Sequence, residues 1–188
     1  VTDENTLIAG GASGGIWRST DLGQSWNKMT RHFQLHNVTC IAQDTRPGKE
    51  NIWYYGTGEL AGNSASSDGA YFDGNGIYKS IDNGLTWDSI SSTADNNPAG
   101  SFNVFDFAWN IVLDPSNLDE DEMYMATYGS ILRSVDGGES WLEELGGGNA
   151  YYNNVDITSD GVVYATISSD GTGKGIWRSV DGMEWTNI

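Results

Sequence analysis

The sequence predicts an all-β protein, a β-propeller of four-stranded antiparallel blades, on the basis of three observations. A turn pattern, Ser-x-Asp-x-Gly-x-(Ser/Thr)-Trp, occurs at residues 19–26, 80–87 and 134–141, with a shortened copy at 179–185. We call these four segments the repeat hairpins. The copies recur about every 45 to 60 residues. Several short apolar segments, bounded by Gly, Asn and Asp turn signals, lie within each repeat. Repeats of this kind are typical of propellers.

The strands of each unit follow from these apolar segments. In the last unit they are predicted at 154–157, 162–168, 175–179 and 184–188, and the hairpin joins strands three and four. The second unit has strands at 38–43, 51–56, 77–80 and 86–90, and the third at 105–113, 123–127, 131–134 and 140–145. The first unit has only strands two, three and four, at 6–9, 15–19 and 25–29.

The blades are therefore predicted at residues 1–30 in part, 37–91, 103–146 and 153–188 of a single domain. A closed propeller that lacked one inner strand would leave an unpaired strand edge, which proteins normally protect. The sequence hence favours an arc of a larger propeller, with a self-contained four-bladed propeller as the alternative.

The residues of the repeat hairpins each have a structural explanation. The aspartate bonds nearby backbone amides, the glycine adopts a backbone conformation that other residues resist, and the tryptophan packs across the turn. A basic residue precedes every hairpin, at Arg18, Lys79, Arg133 and Arg178. A scaffold feature repeats in every blade, whereas a unique site does not. Structural roles are thus predicted for Asp21, Gly23, Trp26, Asp82, Gly84, Trp87, Asp136, Gly138, Trp141, Asp181 and Trp185.

The composition restricts the classes of partner. The chain has 26 acidic and 9 basic side chains in 188 residues, a formal net charge of −17. Nucleic acids and anionic membranes require clustered positive charge, so neither is predicted as a partner. No apolar segment has the length of a membrane span, so membrane insertion is not predicted. The charge fits a secreted protein kept soluble by self-repulsion.

The single cysteine excludes a disulfide within the chain, and no Cys/His cluster indicates zinc. Strand alternation along 38–43 places Val38, Cys40 and Ala42 on one face, which predicts a buried, unreactive thiol. Residues 37–39, Asn-Val-Thr, also match a glycosylation sequon.

The repeat hairpins resemble the Asp-box, or BNR, repeat of sialidase-type propellers, xyloglucan-cleaving endoglucanase propellers and Vps10/sortilin-type receptors. Segments 53–59, 76–80 and 112–117 further resemble large secreted Vps10-like BNR-repeat proteins of bacteria. The resemblance implies a secreted or cell-surface bacterial protein. It also implies that the hairpins lie opposite the ligand, so that the loops between strands two and three and the links between blades form the binding face.

Candidate ligand-binding residues are the aromatic, carboxylate and amide side chains of those loops and links. Flat rings stack on pyranose faces while Asp and Asn bond sugar hydroxyls, so this mixture fits a glycan-binding surface. The predicted residues are Glu59, Asn63, Asp68, Tyr71, Phe72, Asp73, Phe102, Asp106, Tyr151 and Tyr152, and the first link adds His32, Phe33 and His36.

No metal site and no cofactor are assigned. Asp68 and Asp73 begin like a calcium loop, but Ile77 and Tyr78 stand where further ligands are required. Calcium is therefore kept only as an alternative. The acidic run at 119–122 is interpreted as a solvated turn between two strands.

The chain is interpreted as a non-catalytic secreted or cell-surface module that presents a glycan- or protein-binding face, alongside the remaining blades of a longer chain. A sialidase site is not predicted, because only Arg31 and Arg46 lie outside the repeated positions. Two alternatives stay open. One is part of a sialidase- or endoglucanase-like glycoside hydrolase propeller whose catalytic residues lie partly outside this segment. No catalytic residue is assigned, and the carboxylate pair that this chain could offer is Glu59 with Asp73 or Asp106. The other is a sortilin-like module that binds proteins or peptides.

Overall fold

The computed structural model describes residues 5–59, 72–95, 103–146, 152–168 and 173–188, and these residues form β-strands, turns and loops without a helix. The strands are β1 (Leu7–Gly11), β2 (Gly15–Ser19), β3 (Asn27–Lys28), β4 (Val38–Gln43), β5 (Trp53–Thr57), β6 (Ile77–Ser80), β7 (Asp88–Ser89), β8 (Ala108–Leu113), β9 (Met123–Thr127), β10 (Ser130–Ser134), β11 (Leu142–Gly146), β12 (Asn153–Ile157), β13 (Val163–Ile167), β14 (Gly175–Ser179) and β15 (Trp185–Asn187). In the described part of the chain there is accordingly no helix that could cross a membrane.

The strands form four antiparallel sheets in which every strand pairs with its neighbours in sequence. Sheet I contains β1–β3, sheet II β4–β7, sheet III β8–β11 and sheet IV β12–β15. Sheets II to IV have four strands each, and sheet I has three among the described residues, as the repeat pattern predicts. The all-β class, the strand order and the hairpin connection between the third and fourth strands are therefore confirmed.

The fourth strands begin later than the sequence predicts in the first three sheets. The reason is the hairpin tryptophan, which remains part of the turn. The indole Nε1 of Trp26, Trp87 and Trp141 donates to the carbonyl of the hairpin glycine three residues earlier, at 3.0, 3.1 and 3.0 Å. The chain joins the sheet only after this bond has closed the turn, so the predicted starts at 25, 86 and 140 were wrong.

Neighbouring sheets stack face to face, since β4 packs against β8 and β8 against β12. Each junction encloses its own apolar core. Successive strand residues point to opposite cores, so Tyr54 packs toward sheet III while Tyr55 packs toward sheet I. The buried residues are Ile16, Val38, Tyr55, Tyr78 and Trp87 between sheets I and II; Tyr54, Ile77, Ile90, Ala108, Ile111, Met123, Met125 and Leu132 between II and III; and Tyr124, Ala126, Ile131, Val155, Val163, Ala165 and Ile167 between III and IV.

A β-bulge near the start of β4 breaks the alternation predicted for that strand. The register with β5 shifts between Val38 and Cys40, which leaves Thr39 as the extra residue. Val38 therefore packs in the core toward sheet I, whereas Cys40 and Ala42 pack toward sheet III. The prediction that these three side chains share one face was wrong for Val38. Burial raises the pKa of the Cys40 thiol to about 12, which agrees with an unreactive thiol.

The antiparallel order places two kinds of connection on opposite faces of the molecule. The repeat hairpins contact the connections that precede strand two: the Asn83 amide donates to the Asn51 carbonyl at 2.9 Å, and the Gly137 amide to the Asp121 carbonyl at 2.9 Å. We call this the hairpin face. The loops between strands two and three and the links between sheets lie at the other ends of the strands, which we call the loop face.

Candidate functional site

The carboxylates of the repeat hairpins are used within their own turns. In the third hairpin, Asp136 Oδ1 accepts from Ser134 Oγ at 2.7 Å and from the Ser140 amide at 2.9 Å, and Oδ2 accepts from Ser140 Oγ at 2.6 Å. These bonds, chiefly the one from the Ser140 hydroxyl, lower the pKa of Asp136 to about 2. Asp21 and Asp82 make the same contacts with their own hairpins. The geometry supports the structural role predicted for this pattern.

A cavity of about 260 Å³ opens on the loop face between sheets I and II. Three segments line it: the turn between β1 and β2 contributes Ala12 and Ser13, the link before β4 contributes residues 35–37, and the returning loop before β6 contributes Phe72 and Asp73. Two of the predicted ligand-binding residues, Phe72 and Asp73, thus lie in this cavity together with His36 of the link. We call it the loop-face cavity.

Asn37 fixes the position of Phe72 and Asp73. Its Nδ2 donates to the Phe72 carbonyl at 3.1 Å and to the Asp73 carbonyl at 2.9 Å. The side chain is buried, and its Oδ1 has no hydrogen-bond donor among the described residues. This oxygen is inaccessible to solvent, so Asn37 acts within the protein, where its amide holds the loop in place. Because the Asn37 amide is occupied and buried, glycosylation at this sequon is incompatible with the fold.

The backbone of Glu59 and Phe72 closes the base of the loop that carries the cavity wall. Their amides and carbonyls exchange two hydrogen bonds, at 2.9 and 2.8 Å, as an isolated antiparallel bridge. Phe72 is 47% exposed, and it lines the cavity together with Asp73. An aromatic ring and a carboxylate in one cavity offer a ligand an apolar surface and a hydrogen-bond acceptor.

Asp106 lies behind the same loop and is buried. Its carbonyl accepts from the Gly74 amide at 2.9 Å, and its Oδ2 accepts from the Asn103 amide at 2.6 Å. Its Oδ1 has no donor within the described part of the chain. Burial raises the pKa of Asp106, and the negative charges of Asp95 and Asp73 raise it further. A carboxyl group that holds its proton more tightly than usual is suited to act as an acid.

The structure does not bring all of the predicted site residues together. Glu59, Phe72, Asp73 and Asp106 surround one loop, but Tyr152 stacks against Trp109 at the junction of sheets III and IV, with ring centroids 5.4 Å apart. Five predicted residues lie outside the described residues: Asn63, Asp68, Tyr71, Phe102 and Tyr151.

Sequence reasoning missed the part that Asn37 and Ser13 play in lining the cavity. From the sequence, Asn37 is predicted only as part of a glycosylation sequon, and Ser13 has no predicted role. The two residues belong to segments next to strands of different sheets, so the sequence does not show that they meet. The only signal was that Asn37 precedes a first strand, at the point where a link reaches the loop face.

Among the described residues no group of three or more His, Cys, Asp or Glu side chains is arranged to hold a metal ion. The predicted calcium loop starts outside those residues. The acidic run at 119–122 is not simply a solvated turn, because Glu122 is buried and accepts from Arg133 Nε and Tyr124 Oη, both at 2.6 Å. Asp121 pairs with Arg46 Nη2 at 2.9 Å and with Lys49 Nζ. That interpretation was wrong for these two acids.

Comparison with known proteins supports the fold. No protein-family model matches the chain. The chain is 28% identical over 202 residues to a xyloglucanase from Paenibacillus sp., an alignment that covers 94% of this chain and 18% of the relative. It superposes on the GH74 enzyme of Niastella koreensis with a TM-score of 0.65 at 23% identity, over 99% of this chain and 28% of that one. The fold is a β-propeller.

A third similarity concerns a propeller of another kind. YCF48, solved bound to D1 peptide, superposes with a TM-score of 0.58 at 17% identity, over 97% of this chain and 50% of that one. This likeness shows the fold alone. The comparisons support the predicted similarity to xyloglucan-cleaving propellers, whereas the specific similarity to Vps10/sortilin proteins remains a prediction. The chain spans about a fifth of the length of the xyloglucanase that it matches.

Proposed function

We propose that this chain is part of a glycoside hydrolase propeller whose loop face binds a β-linked polysaccharide of the xyloglucan class. The observation that carries the proposal is the loop-face cavity, which the aromatic Phe72 and the acidic Asp73 both line, in a chain similar over 94% of its length to a xyloglucanase. The same similarity favours the hydrolase alternative over the non-catalytic module as first interpreted.

The residues of the cavity have complementary roles toward a sugar. The Phe72 ring offers an apolar surface on which the axial C–H groups of a pyranose stack. The Asp73 carboxylate accepts hydrogen bonds from hydroxyl groups. Asn37 Nδ2 holds the loop in place. Because these groups converge from the first link and the returning loop of sheet II, the site needs the two sheets to be packed.

Asp106 is our candidate for the acid of a two-carboxylate mechanism. Its raised pKa favours the protonated form that an acid needs when it protonates the leaving oxygen of a glycosidic bond. Asp73, which is closer to solvent, is the candidate for the partner carboxylate. The relatives are several times longer than this chain, so we propose that the remaining blades of a larger secreted bacterial propeller complete the substrate path.

Binding is tested first, by isothermal titration of the chain with a xyloglucan oligosaccharide. Phe72→Ala should weaken binding about tenfold, because one stacking ring contributes about 1–2 kcal/mol. Tyr164→Ala is the matched control, since it removes an exposed ring from the outer face of sheet IV and should leave the affinity unchanged. If the wild-type chain binds no oligosaccharide, or both variants lose affinity equally, the proposed site is wrong.

Hydrolysis is tested on the full-length protein that contains this chain, produced as wild type and as single variants, by release of reducing ends from xyloglucan. Asp106→Asn should abolish release while oligosaccharide binding persists, because the amide keeps the shape but is far too weak an acid to protonate the leaving oxygen. Asp114→Asn, at a buried aspartate on the hairpin face, is the control for a nonspecific loss. Full activity of Asp106→Asn would refute its role as the acid and leave the binding proposal standing.

A further inference from the structure

A second cavity, of about 350 Å³, opens between the link before β4 and the edge strand β7 of sheet II. Three segments line it: residues 33–35 of the link, Asn75 and Tyr78 at the start of β6, and residues 87–89 at β7. We call it the outer cavity. Leu35 separates it from the loop-face cavity, because this residue lines both. The volume is in the range of small-ligand sites in proteins.

Two side chains of the outer cavity have hydrogen-bond donors without an acceptor among the described residues. Asn75 is 9% exposed, and its Oδ1 accepts from the Asp95 amide at 3.0 Å, which leaves Nδ2 as the unused donor. Tyr78 is 7% exposed, and its hydroxyl accepts from the Leu35 amide at 3.4 Å, which leaves its own proton unused. Burial raises the pKa of Tyr78, so the hydroxyl keeps that proton. Donors in the wall of a cavity gain from a ligand that accepts from them.

The acceptors in the same wall are already engaged. Gln34 Oε1 accepts from the Arg31 amide at 2.7 Å, and the Trp87 carbonyl accepts from Gln34 Nε2 at 2.5 Å. The Leu35 carbonyl accepts from the Tyr55 hydroxyl at 3.5 Å. A ligand hydroxyl brings a proton that needs an acceptor, whereas a ligand carbonyl brings only lone pairs. Unused donors beside occupied acceptors therefore favour a carbonyl group.

The charge around the outer cavity favours a neutral ligand over an anion. A carboxylate would also accept without donating, but Asp88 lines the cavity and Asp95 is bonded to Asn75, in a chain with a formal net charge of −17. These negative charges repel an anion. Asp88 and Ser89 are exposed, so their side chains are instead acceptors for the N–H and O–H groups of a neutral ligand.

Phe33, a sequence candidate from the first link, adds an aromatic surface to the outer cavity. It is 67% exposed. The Arg31 guanidinium carbon lies 6.0 Å from the centre of its ring, and the His32 ring meets it edge-on at a centroid distance of 5.4 Å. An aromatic ring stacks on a pyranose, and exposed acceptors bind its hydroxyl groups. Together with donors for a carbonyl, these groups are complementary to an N-acetylated sugar.

We propose that the outer cavity binds an acetamido sugar, with the acetyl carbonyl accepting from Asn75 and Tyr78 and the pyranose ring beside Phe33. The hydroxyl groups of the sugar donate to Asp88 and Ser89. The proposal concerns a second ligand, at residues that do not include Phe72, Asp73 or Asp106, and it is independent of whether the protein cleaves a polysaccharide.

The test is saturation-transfer NMR on the full-length protein that contains this chain, with N-acetylglucosamine as the probe. We expect saturation of its acetyl methyl protons. Glucose, which lacks the acetamido group, should compete at least about tenfold more weakly, because it offers no carbonyl to the two donors. Equal competition by glucose would overturn the assignment of the carbonyl. No saturation of the acetyl methyl at millimolar probe would overturn the site.

Tyr78→Phe removes only the hydroxyl and keeps the ring that stacks on Tyr55, with centroids 4.7 Å apart. It should weaken the binding of N-acetylglucosamine about tenfold, since one donor to the ligand is lost. Tyr55→Phe is the matched control, because it removes the other hydroxyl of the same stack, from a residue that is not part of the cavity wall. Equal losses in the two variants, or no loss in Tyr78→Phe, would refute the proposed site.

Asn75→Asp replaces the unused donor with an acceptor of the same shape and keeps an oxygen for the Asp95 amide. It should abolish binding of N-acetylglucosamine, because a carboxylate oxygen repels the acetyl carbonyl. Retained affinity would contradict the role of Asn75. The urea midpoint of each variant separates loss of the ligand from loss of the fold, and Tyr78→Phe decides if Asn75→Asp lowers that midpoint.

Nε-acetyl-lysine presents the same acetamide carbonyl on an amino-acid side chain rather than on a sugar. It should compete more weakly than N-acetylglucosamine, because it has no pyranose ring for Phe33 and no hydroxyl groups for Asp88. Stronger competition by Nε-acetyl-lysine would mean that the ligand is an acetylated protein, which would contradict the proposal.

Discussion

Single side chains determine the shape of the repeat hairpins. In each full-length copy the aspartate carboxylate accepts hydrogen bonds from the hydroxyl and the backbone amide of the same Ser or Thr. The hydroxyl of the leading serine accepts a hydrogen bond from the amide of the hairpin glycine, as Ser134 Oγ does from Gly138 at 2.9 Å. The charge of the aspartate strengthens each bond. The shortened fourth copy keeps this design with backbone donors, since Asp181 accepts from the Met183 and Glu184 amides at 3.0 and 2.8 Å.

The depressed pKa values of these aspartates predict how stability depends on pH. The pKa of Asp136 is about 2 in the folded chain against an ordinary value of 3.8. Its contribution is therefore fully present above about pH 4 and is lost as the pH falls toward 2. Asp21, Asp82 and Asp181 have pKa values lowered in the same direction. We expect the urea midpoint to decrease between pH 4 and pH 2.

Asp136→Asn should flatten part of that pH dependence and lower the stability at pH 7 by about 1 kcal/mol, the usual net contribution of one hydrogen bond. Glu139→Gln removes an exposed carboxylate from the same hairpin, and it should change neither the pH dependence nor the stability at pH 7. An unchanged pH profile in Asp136→Asn would mean that this carboxylate does not contribute through its charge.

At the scale of the strand connections, one buried ionic cluster joins sheets II and III on the hairpin face. Arg46 is 3% exposed, and it contacts Asp44 Oδ2 at 2.5 Å and Asp121 Oδ1 at 2.9 Å. The same guanidinium donates to the carbonyls of Asn117 and Glu120, at 2.9 and 2.6 Å. With a further bond from Nε to Asp44 Oδ1 at 2.9 Å, this one side chain satisfies five acceptor atoms of four residues, from two connections in different sheets.

Arg46→Ala should lower the free energy of unfolding by about 3 kcal/mol, because it leaves the buried Asp44 carboxylate without its cation. Arg46→Lys should recover only part of the loss, since an ammonium cannot reproduce the planar fork. Arg178→Ala, at a more exposed arginine of sheet IV, is the control and should change stability by less than about 0.5 kcal/mol. Urea unfolding at pH 7 measures all three. Comparable losses for Arg46→Ala and Arg178→Ala would contradict this account.

At the scale of the whole molecule, the regular packing of the sheets is opposed by a large excess of negative charge. Three apolar cores of the same construction hold the four sheets together. The formal net charge of −17 opposes them, because the many carboxylates repel one another. Salt screens this repulsion at distances beyond about 10 Å while it affects buried pairs such as Arg46–Asp44 much less.

Thermal unfolding at pH 7 should therefore occur at a higher temperature in ~150 mM than in ~10 mM sodium chloride, by a few degrees. Near pH 4, where many of the carboxylates are protonated, the difference should shrink. A midpoint that falls with added salt at pH 7 would show that attractive surface pairs outweigh the net repulsion.

The sequence by itself determined the all-β class, the number of sheets, their strand order and the place of each hairpin. These properties are local, because a turn motif such as Ser134 to Trp141 and the apolar segments beside it set their own backbone conformation. The sequence also pointed to Phe72, Asp73 and Asp106 as candidates, since an unusual loop and link stand out against a regular repeat.

The tertiary structure alone decided which of these residues meet. Asn37 reaches Phe72 across 35 positions of the chain, and Arg46 reaches Asp121 across 75. The bulge at Thr39 turned Val38 toward a different core, and the pairing of Tyr124 with Gly182 exists only where two sheets stack. Such contacts depend on how sheets pack rather than on neighbouring residues, so no local pattern in the chain specifies them.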